Sequence, residues 1–200
     1  MKLNVKQIVL LLIFITFIHL KTMAQFKDGY YYKKDGTKVN GLLRFNYGGN
    51  AFTDKSDGDC TVTYKSDKQG KKTKLTTNDI CCFVIEKDSF AIIKNFKLNL
   101  LASYPQDFAK VIGAGKINLY MYYSTRQGPY GIYTTITEWV IEKDGKVDKL
   151  TKKKFKELMP TYLSDYPGLL NTITNNKLDY HDSENIIKLY NDYAREHSAK

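Results

Sequence analysis

Three side chains of this 200-residue chain have thiol chemistry: Cys60, Cys81 and Cys82. In an oxidising compartment an odd count leaves at least one thiol unpaired or used between chains. A disulfide from Cys60 to Cys81 or Cys82 is geometrically open if their strands are neighbours. A bridge between Cys81 and Cys82 is expected to be strained, because adjacent residues on a strand point to opposite faces. Cys-Cys is not the Cys-x-x-Cys of redox enzymes, and no histidine lies nearby in the sequence. The expected reading is three buried apolar thiols, since a cysteine without a partner behaves as a small hydrophobe.

Two further clusters resemble sites. Gly113-Ala114-Gly115-Lys116 suggests a phosphate loop. A phosphate loop needs Gly-x-x-x-x-Gly-Lys-Ser/Thr opening a helix, and a dinucleotide site needs a third glycine. Here Asn118 stands where that glycine belongs and a strand pattern follows, so no nucleotide cofactor is expected. Asp179, His181, Asp182 and Glu184 could supply oxygen and imidazole ligands to a cation. Acidic residues also suit a helix start, where Asp182 caps, and that reading is preferred; no metal is expected. Beyond the first 24 residues only His181 and His197 are histidines, and no serine sits on a nucleophile elbow. The sixteen tyrosines are an excess. On antiparallel strands they are expected to fill a core and its rim, though tyrosine rows also stack on sugars and form protein interfaces.

The elements that position these residues read mainly as antiparallel strands. Residues 28–46 form a hairpin around Asp35-Gly36, and Lys143-Asp144-Gly145-Lys146 is a second Asp-Gly turn. Cys60 to Lys65 alternates, and Ile80 to Ile85 is a near-continuous apolar run suited to a central strand. Thr77-Asn78-Asp79 reads as a one-turn cap before it. Phe90 to Phe96 continues the strands, and Ser103 to Phe108 reads as irregular around Pro105. The longest hairpin joins Lys116–Tyr123 to Tyr133–Ile141, with Ile117, Leu119, Met121 and Tyr123 on one face. After Leu150 the period changes from two to 3.6. Thr151 is the expected N-cap of a helix carrying Phe155, Leu158, Met159 and Tyr162. Pro167 starts a second helix, and Asp182 or Ser183 a third with Ile186, Ile187, Tyr190 and Tyr193.

The opening residues address the chain. Lys2 and Lys6 precede an apolar run from Ile8 to Ile18, followed by Thr22-Met23-Ala24 and Gln25. That three-part pattern predicts a secretory signal peptide over residues 1–24, cleaved between Ala24 and Gln25. The run is about half the ~20 residues of a membrane span. No cysteine follows it to take a lipid. Of the 31 basic residues, Lys2, Lys6 and Lys21 leave with the leader and no acidic residue does, so 28 basic against 21 acidic side chains remain, a net +7. The lysines are dense only at Lys152–Lys154 and between Lys68 and Lys74, which favours solvated surface over a polyanion site. Nucleic acid is not an expected partner of an exported chain. Lysines on both strand faces and a polar last helix also argue against a lipid-embedded barrel.

The order of pieces resembles a group of exported proteins of Bacteroidota-type bacteria. The resemblance rests on Gly29-Tyr30-Tyr31 through Asp35-Gly36-Thr37-Lys38-Val39-Asn40-Gly41, on Asn78-Asp79-Ile80 and on Gly115-Lys116-Ile117-Asn118-Leu119-Tyr120. Tyr190-Asn191 and a leader ending Ala-Gln match as well. The group has no established activity, so the resemblance implies location and architecture and carries over no site residues.

These readings predict an α+β fold. An antiparallel domain over 25–150, as a roll, open barrel or small sandwich, is covered by about three helices from 151–200. The expected function is an exported, envelope-associated binding or structural module, noncatalytic, meeting envelope protein or glycan in the periplasm, at the outer-membrane surface or outside the cell. The alternative is a secreted hydrolase with a dispersed carboxylate site. Two close carboxylates in a deep pocket would mark the enzyme, and a flat face with exposed tyrosines the binder.

Overall fold

The computed structural model describes residues 25–47, 60–97, 103–127 and 129–197. The leader read over 1–24, Ala24 included, lies outside the described residues. Both Asp-Gly turns form as the sequence predicts. Gly36 (φ 83°) and Gly145 (φ 79°), with Asp144 beside it (φ 51°), take the left-handed conformations that tight hairpins require. The strands are β1 (Lys27–Lys33), β2 (Lys38–Asn46), β3 (Thr61–Lys65), β4 (Thr73–Leu75), β5 (Ile80–Ile85), β6 (Asp88–Lys97), β7 (Ser103–Gly113), β8 (Ile117–Gln127), β9 (Tyr133–Lys143) and β10 (Lys146–Leu150). They form one ten-stranded antiparallel sheet in the order β10-β9-β8-β7-β6-β5-β1-β2-β3-β4. Three helices follow: α1 (Phe155–Tyr162), α2 (Pro167–Thr174) and α3 (Ser183–His197). The α+β class is as predicted, with an open sheet. Among the described residues no helix is long and apolar enough to cross a membrane.

The connections force the sheet to curl. Only residues 76–79 join β4 to β5, although β3, β2 and β1 lie between them in the sheet. In a flat sheet those two strands would stand about 19 Å apart, at ~4.8 Å per strand. The linker is itself a turn, with the Ile80 N–H donating to the Thr76 carbonyl (3.3 Å). The first five strands therefore roll up, and at the other end β10 returns against β6. The rolled-up interior is aromatic. Phe83 stacks on Phe90 (4.5 Å), Phe45 packs on Phe90 (4.7 Å), and Phe96 stacks on Tyr104 (5.1 Å).

One expectation fails on β7. Ser103 to Phe108 is strand rather than irregular chain, and the irregularity is confined to its pairing at Pro105. Its pairing with β6 runs from Lys94–Gln106 to Phe96–Tyr104 and skips the Asn95–Pro105 position. The ladder breaks at the residue that has no N–H to give, and Asn95 opposite takes up the distortion at φ 53°.

The opposite face of β8–β10 belongs to the helices. Ile117, Leu119, Ile141 and Leu150 form one buried cluster with Phe155, Met159, Tyr162, Leu163, Ile186, Ile187 and Tyr190. Trp139 is half-buried at its edge, as predicted for a residue in or beside the core. Farther along the predicted row, Tyr123 passes beyond the helices and stacks on Tyr47 (5.3 Å). The first helix starts later than predicted. Thr151 Oγ1 accepts the Lys154 N–H (3.2 Å), so it caps a turn over 152–154, and α1 begins at Phe155. Leu119 is fully buried. Leu119→Ala should lower unfolding free energy by about 2–5 kcal/mol, the range for a buried leucine that leaves a cavity. Urea denaturation checks this, and a loss under half a kcal/mol, well below that range, would contradict the packing.

Candidate functional site

The first roll turns one set of side chains inward and the alternate set outward. Tyr31, Leu43, Val62 and Phe83 are buried inside. Register places Tyr30 opposite Asn40 and Val84, Tyr32 opposite Lys38 and Cys82, and Leu42 opposite Asp28 and Lys65. These residues share the outer face. Tyr30 and Tyr32 are half-exposed there and meet edge to face at 5.7 Å. Lys38 Nζ stands 3.7 Å from the centre of the Tyr30 ring, within cation–π range.

The same face continues into an open cleft of about 610 Å³ lined by Phe26, Lys27, Asp28, Leu42, Lys65 and Lys68. The Arg44 guanidinium and the Lys65 ammonium approach the Phe26 ring at 5.2 and 5.5 Å. A second cleft of about 420 Å³ shares Asp28, Leu42 and Lys68 with the first. Lys27 is held by Glu86 (2.7 Å). Flat rings bordered by ammonium and guanidinium groups can stack on a planar or cyclic ligand and attract negative charge. The Tyr30-Tyr31-Tyr32 run carries the signal for this face: beside a short turn over residues 34–37, its alternation exposes the outer two rings. Phe26 has no such signal, because it precedes the first strand.

The carboxylates stand elsewhere. Glu138 and Glu142 are four residues apart on β9, about 13 Å along an extended strand, beyond the ~5–9.5 Å that paired glycosidase carboxyls keep. Glu142 accepts from Tyr120 (2.8 Å) and Asn118 (3.3 Å), and Glu138 is ion-paired to Lys149. Burial, then Glu142, pushes the Tyr120 phenol above its ordinary range. Asp107 is fully buried. Its Oδ1 accepts the N–H groups of Cys60 (3.0 Å) and Phe108 (2.7 Å), and its Oδ2 accepts the Tyr122 hydroxyl (2.7 Å). Asp165 joins the helices to the sheet, accepting from Lys143 (2.9 Å) and Tyr190 (2.7 Å). Burial raises its pKa, but those two hydrogen bonds outweigh burial and leave it below the usual carboxylate range.

The two clusters discounted in the sequence have structural roles. The Asn191 side chain accepts the Ile117 N–H (2.9 Å) and donates to the Ile117 carbonyl (2.8 Å). A Cβ at Gly115 would stand 2.5 Å from Asn191 Cγ. Gly115 thus admits α3 against the sheet. Asp179 and Asp182 form a capping box: Asp179 accepts the His181 N–H (2.7 Å), and Asp182 accepts the Asp179 N–H (2.8 Å). His197 stacks on Tyr193 (4.1 Å). Among the described residues no three histidine, cysteine or acidic side chains group as metal ligands.

Gln25, the expected first residue after cleavage, is exposed beside Phe26. Cys60 is buried at the entry to β3, its Sγ 3.5 Å from the Tyr123 carbonyl. The cysteines that come together are Cys81 and Cys82, with their sulfurs 3.6 Å apart. Comparison with protein-family models, with characterised proteins and with solved structures returns no match.

Proposed function

We propose that this protein is an exported, noncatalytic module of the cell envelope that binds protein or glycan through the outer face of its first roll. The observation that carries the reading is the half-exposed Tyr30–Tyr32 pair with Lys38 over Tyr30, continuous with the Phe26 cleft. Tyrosine gives a large apolar contact at low entropy cost and keeps a hydroxyl for hydrogen bonding. The Lys38, Arg44, Lys65 and Lys68 side chains favour an acidic group on the partner. The basic n-region, short apolar run and Thr22-Met23-Ala24 support export, as does the resemblance to exported Bacteroidota-type proteins. The wide spacing and prior pairing of Glu138 and Glu142 weigh against the hydrolase alternative.

Two measurements test this. N-terminal sequencing of the secreted product should begin at Gln25; a start at Met1 would refute cleavage. Residues 25–200 immobilised as bait should retain envelope protein or glycan, and Tyr30→Ala/Tyr32→Ala should cut that retention at least about tenfold, a loss of ~1.4 kcal/mol. Equal retention by a variant with an unchanged melting temperature would remove this face from the binding reading.

A further inference from the structure

Cys81 interrupts the pairing of β5 with β1. Tyr32 pairs with Cys82 and Lys33 pairs with Ile80, which leaves Cys81 as the extra residue of a β-bulge. A bulge breaks the strict alternation of side chains. The two thiols, expected on opposite faces of a strand, instead meet at 3.6 Å. The Cys81 sulfur also lies 3.4 Å from the Tyr32 carbonyl and 3.7 Å from that of Lys33. Both cysteines are partly exposed, whereas Cys60 is buried. The regular alternative, one thiol inward and one outward, would have kept the two sulfurs apart.

We infer that Cys81 and Cys82 form a redox-active vicinal dithiol that a small-molecule disulfide closes reversibly to a Cys81–Cys82 bridge. The inference rests on the bulge and does not need the binding reading. In the first step the Cys81 thiol gives its proton to solvent, and its thiolate attacks one sulfur of the oxidant R–S–S–R. A Cys81–S–S–R bond forms, and the expelled R–S⁻ takes up a proton. Cys82 then loses its proton, and its thiolate attacks the Cys81 sulfur. The Cys81–Cys82 bond forms, and the second R–S⁻ leaves and is protonated. Two protein thiols have lost two electrons and two protons, and one R–S–S–R has become two R–SH. Burial, followed by the hydrogen bond to Cys81, pushes the Cys82 thiol up to about 11, which makes it the poorer first nucleophile and leaves it the second step, where the attack is intramolecular. Adjacent α-carbons stand ~3.8 Å apart, closer than the ~4.4–6.8 Å of ordinary disulfides. Such a bridge is strained and easily reduced, so the reaction runs in both directions.

The experiment exposes the folded protein to glutathione disulfide, quenches with acid, alkylates and maps the peptides. The peptide holding Cys81 and Cys82 should lose two hydrogen masses, resist alkylation and recover both thiols in excess reduced glutathione. Cys82→Ser should stop at a glutathione adduct on Cys81, and Cys81→Ser, which keeps only the raised Cys82 thiol, should form its adduct far more slowly. Phenylarsine oxide, which bridges paired thiols, should bind the wild-type protein at least about tenfold more tightly than either variant, because the second As–S bond is intramolecular. A stable glutathione adduct on the wild-type pair would overturn the inference. So would a bridge from Cys60 to either cysteine, or equal arsenical affinity in all three proteins. The wild-type peptide map stands even if a serine variant fails to fold.

Discussion

A chain ending at Leu150 is expected to lose its cooperative fold. The truncation strips the cover from Ile117, Leu119, Ile141 and Leu150, all essentially inaccessible in the whole protein. Four exposed aliphatic side chains cost roughly 6–12 kcal/mol at ~1.5–3 kcal/mol each. That matches the ~5–15 kcal/mol that holds an entire domain together. The polar ties go as well. Asn191 no longer caps the Ile117 peptide, and Lys143 loses Asp165 and the Tyr162 carbonyl (2.8 Å). The truncated chain should aggregate or show an unfolded circular dichroism spectrum without a thermal transition. A soluble product melting at the full-length temperature would show that the helices are an independent element, better suited to a partner-binding arm.

What was legible in the sequence is whatever neighbouring residues decide among themselves. The Asp-Gly pairs favour their own turns, because Asp144, Gly145 and Gly36 enter the left-handed region at low cost. The change of period after Leu150 marks the helices, because a helix stripe and a strand stripe are different spacings of the same apolar residues. What was hidden depends on a partner distant in sequence. Pro105 reads as a breaker of the whole segment until Gln106 and Tyr104 on either side of it are known to pair with Lys94 and Phe96. Thr151 has the right side chain for a helix cap, yet caps the turn before α1. Cys81 and Cys82 look like opposed neighbours, because a bulge is a property of a strand pair and leaves no mark on one strand alone. The binding face was half legible: alternation exposes Tyr30 and Tyr32, and the β1–β2 register sets Phe26 against Arg44, but the β2–β3 pairing that brings in Lys65 joins residues distant in sequence.

Asp107 shows the same dependence and carries the second large expected effect. In the sequence it is one aspartate among many; in the fold it is a fully buried carboxylate tying the start of β3 to β7 and β8. Asp107→Ala leaves the Cys60 and Phe108 N–H groups and the Tyr122 hydroxyl without this acceptor in a site closed to water. Each stranded buried donor costs about 1–3 kcal/mol, so the variant should lose at least about 3 kcal/mol, and its urea midpoint should fall accordingly. Two companions separate hydrogen bonding from shape. Asp107→Asn keeps an oxygen for the Cys60 and Phe108 N–H groups, and its amide can donate to the Tyr122 oxygen, so it should lose less than half as much as alanine. Tyr122→Phe leaves Oδ2 without its phenol donor and should cost about 1–3 kcal/mol. The double variant Asp107→Ala/Tyr122→Phe should cost clearly less than the sum of the singles, because each single already breaks the shared bond. Strict additivity, or a loss under 1 kcal/mol for Asp107→Ala, far below the cost of three stranded donors, would mean that this carboxylate does not hold the roll together.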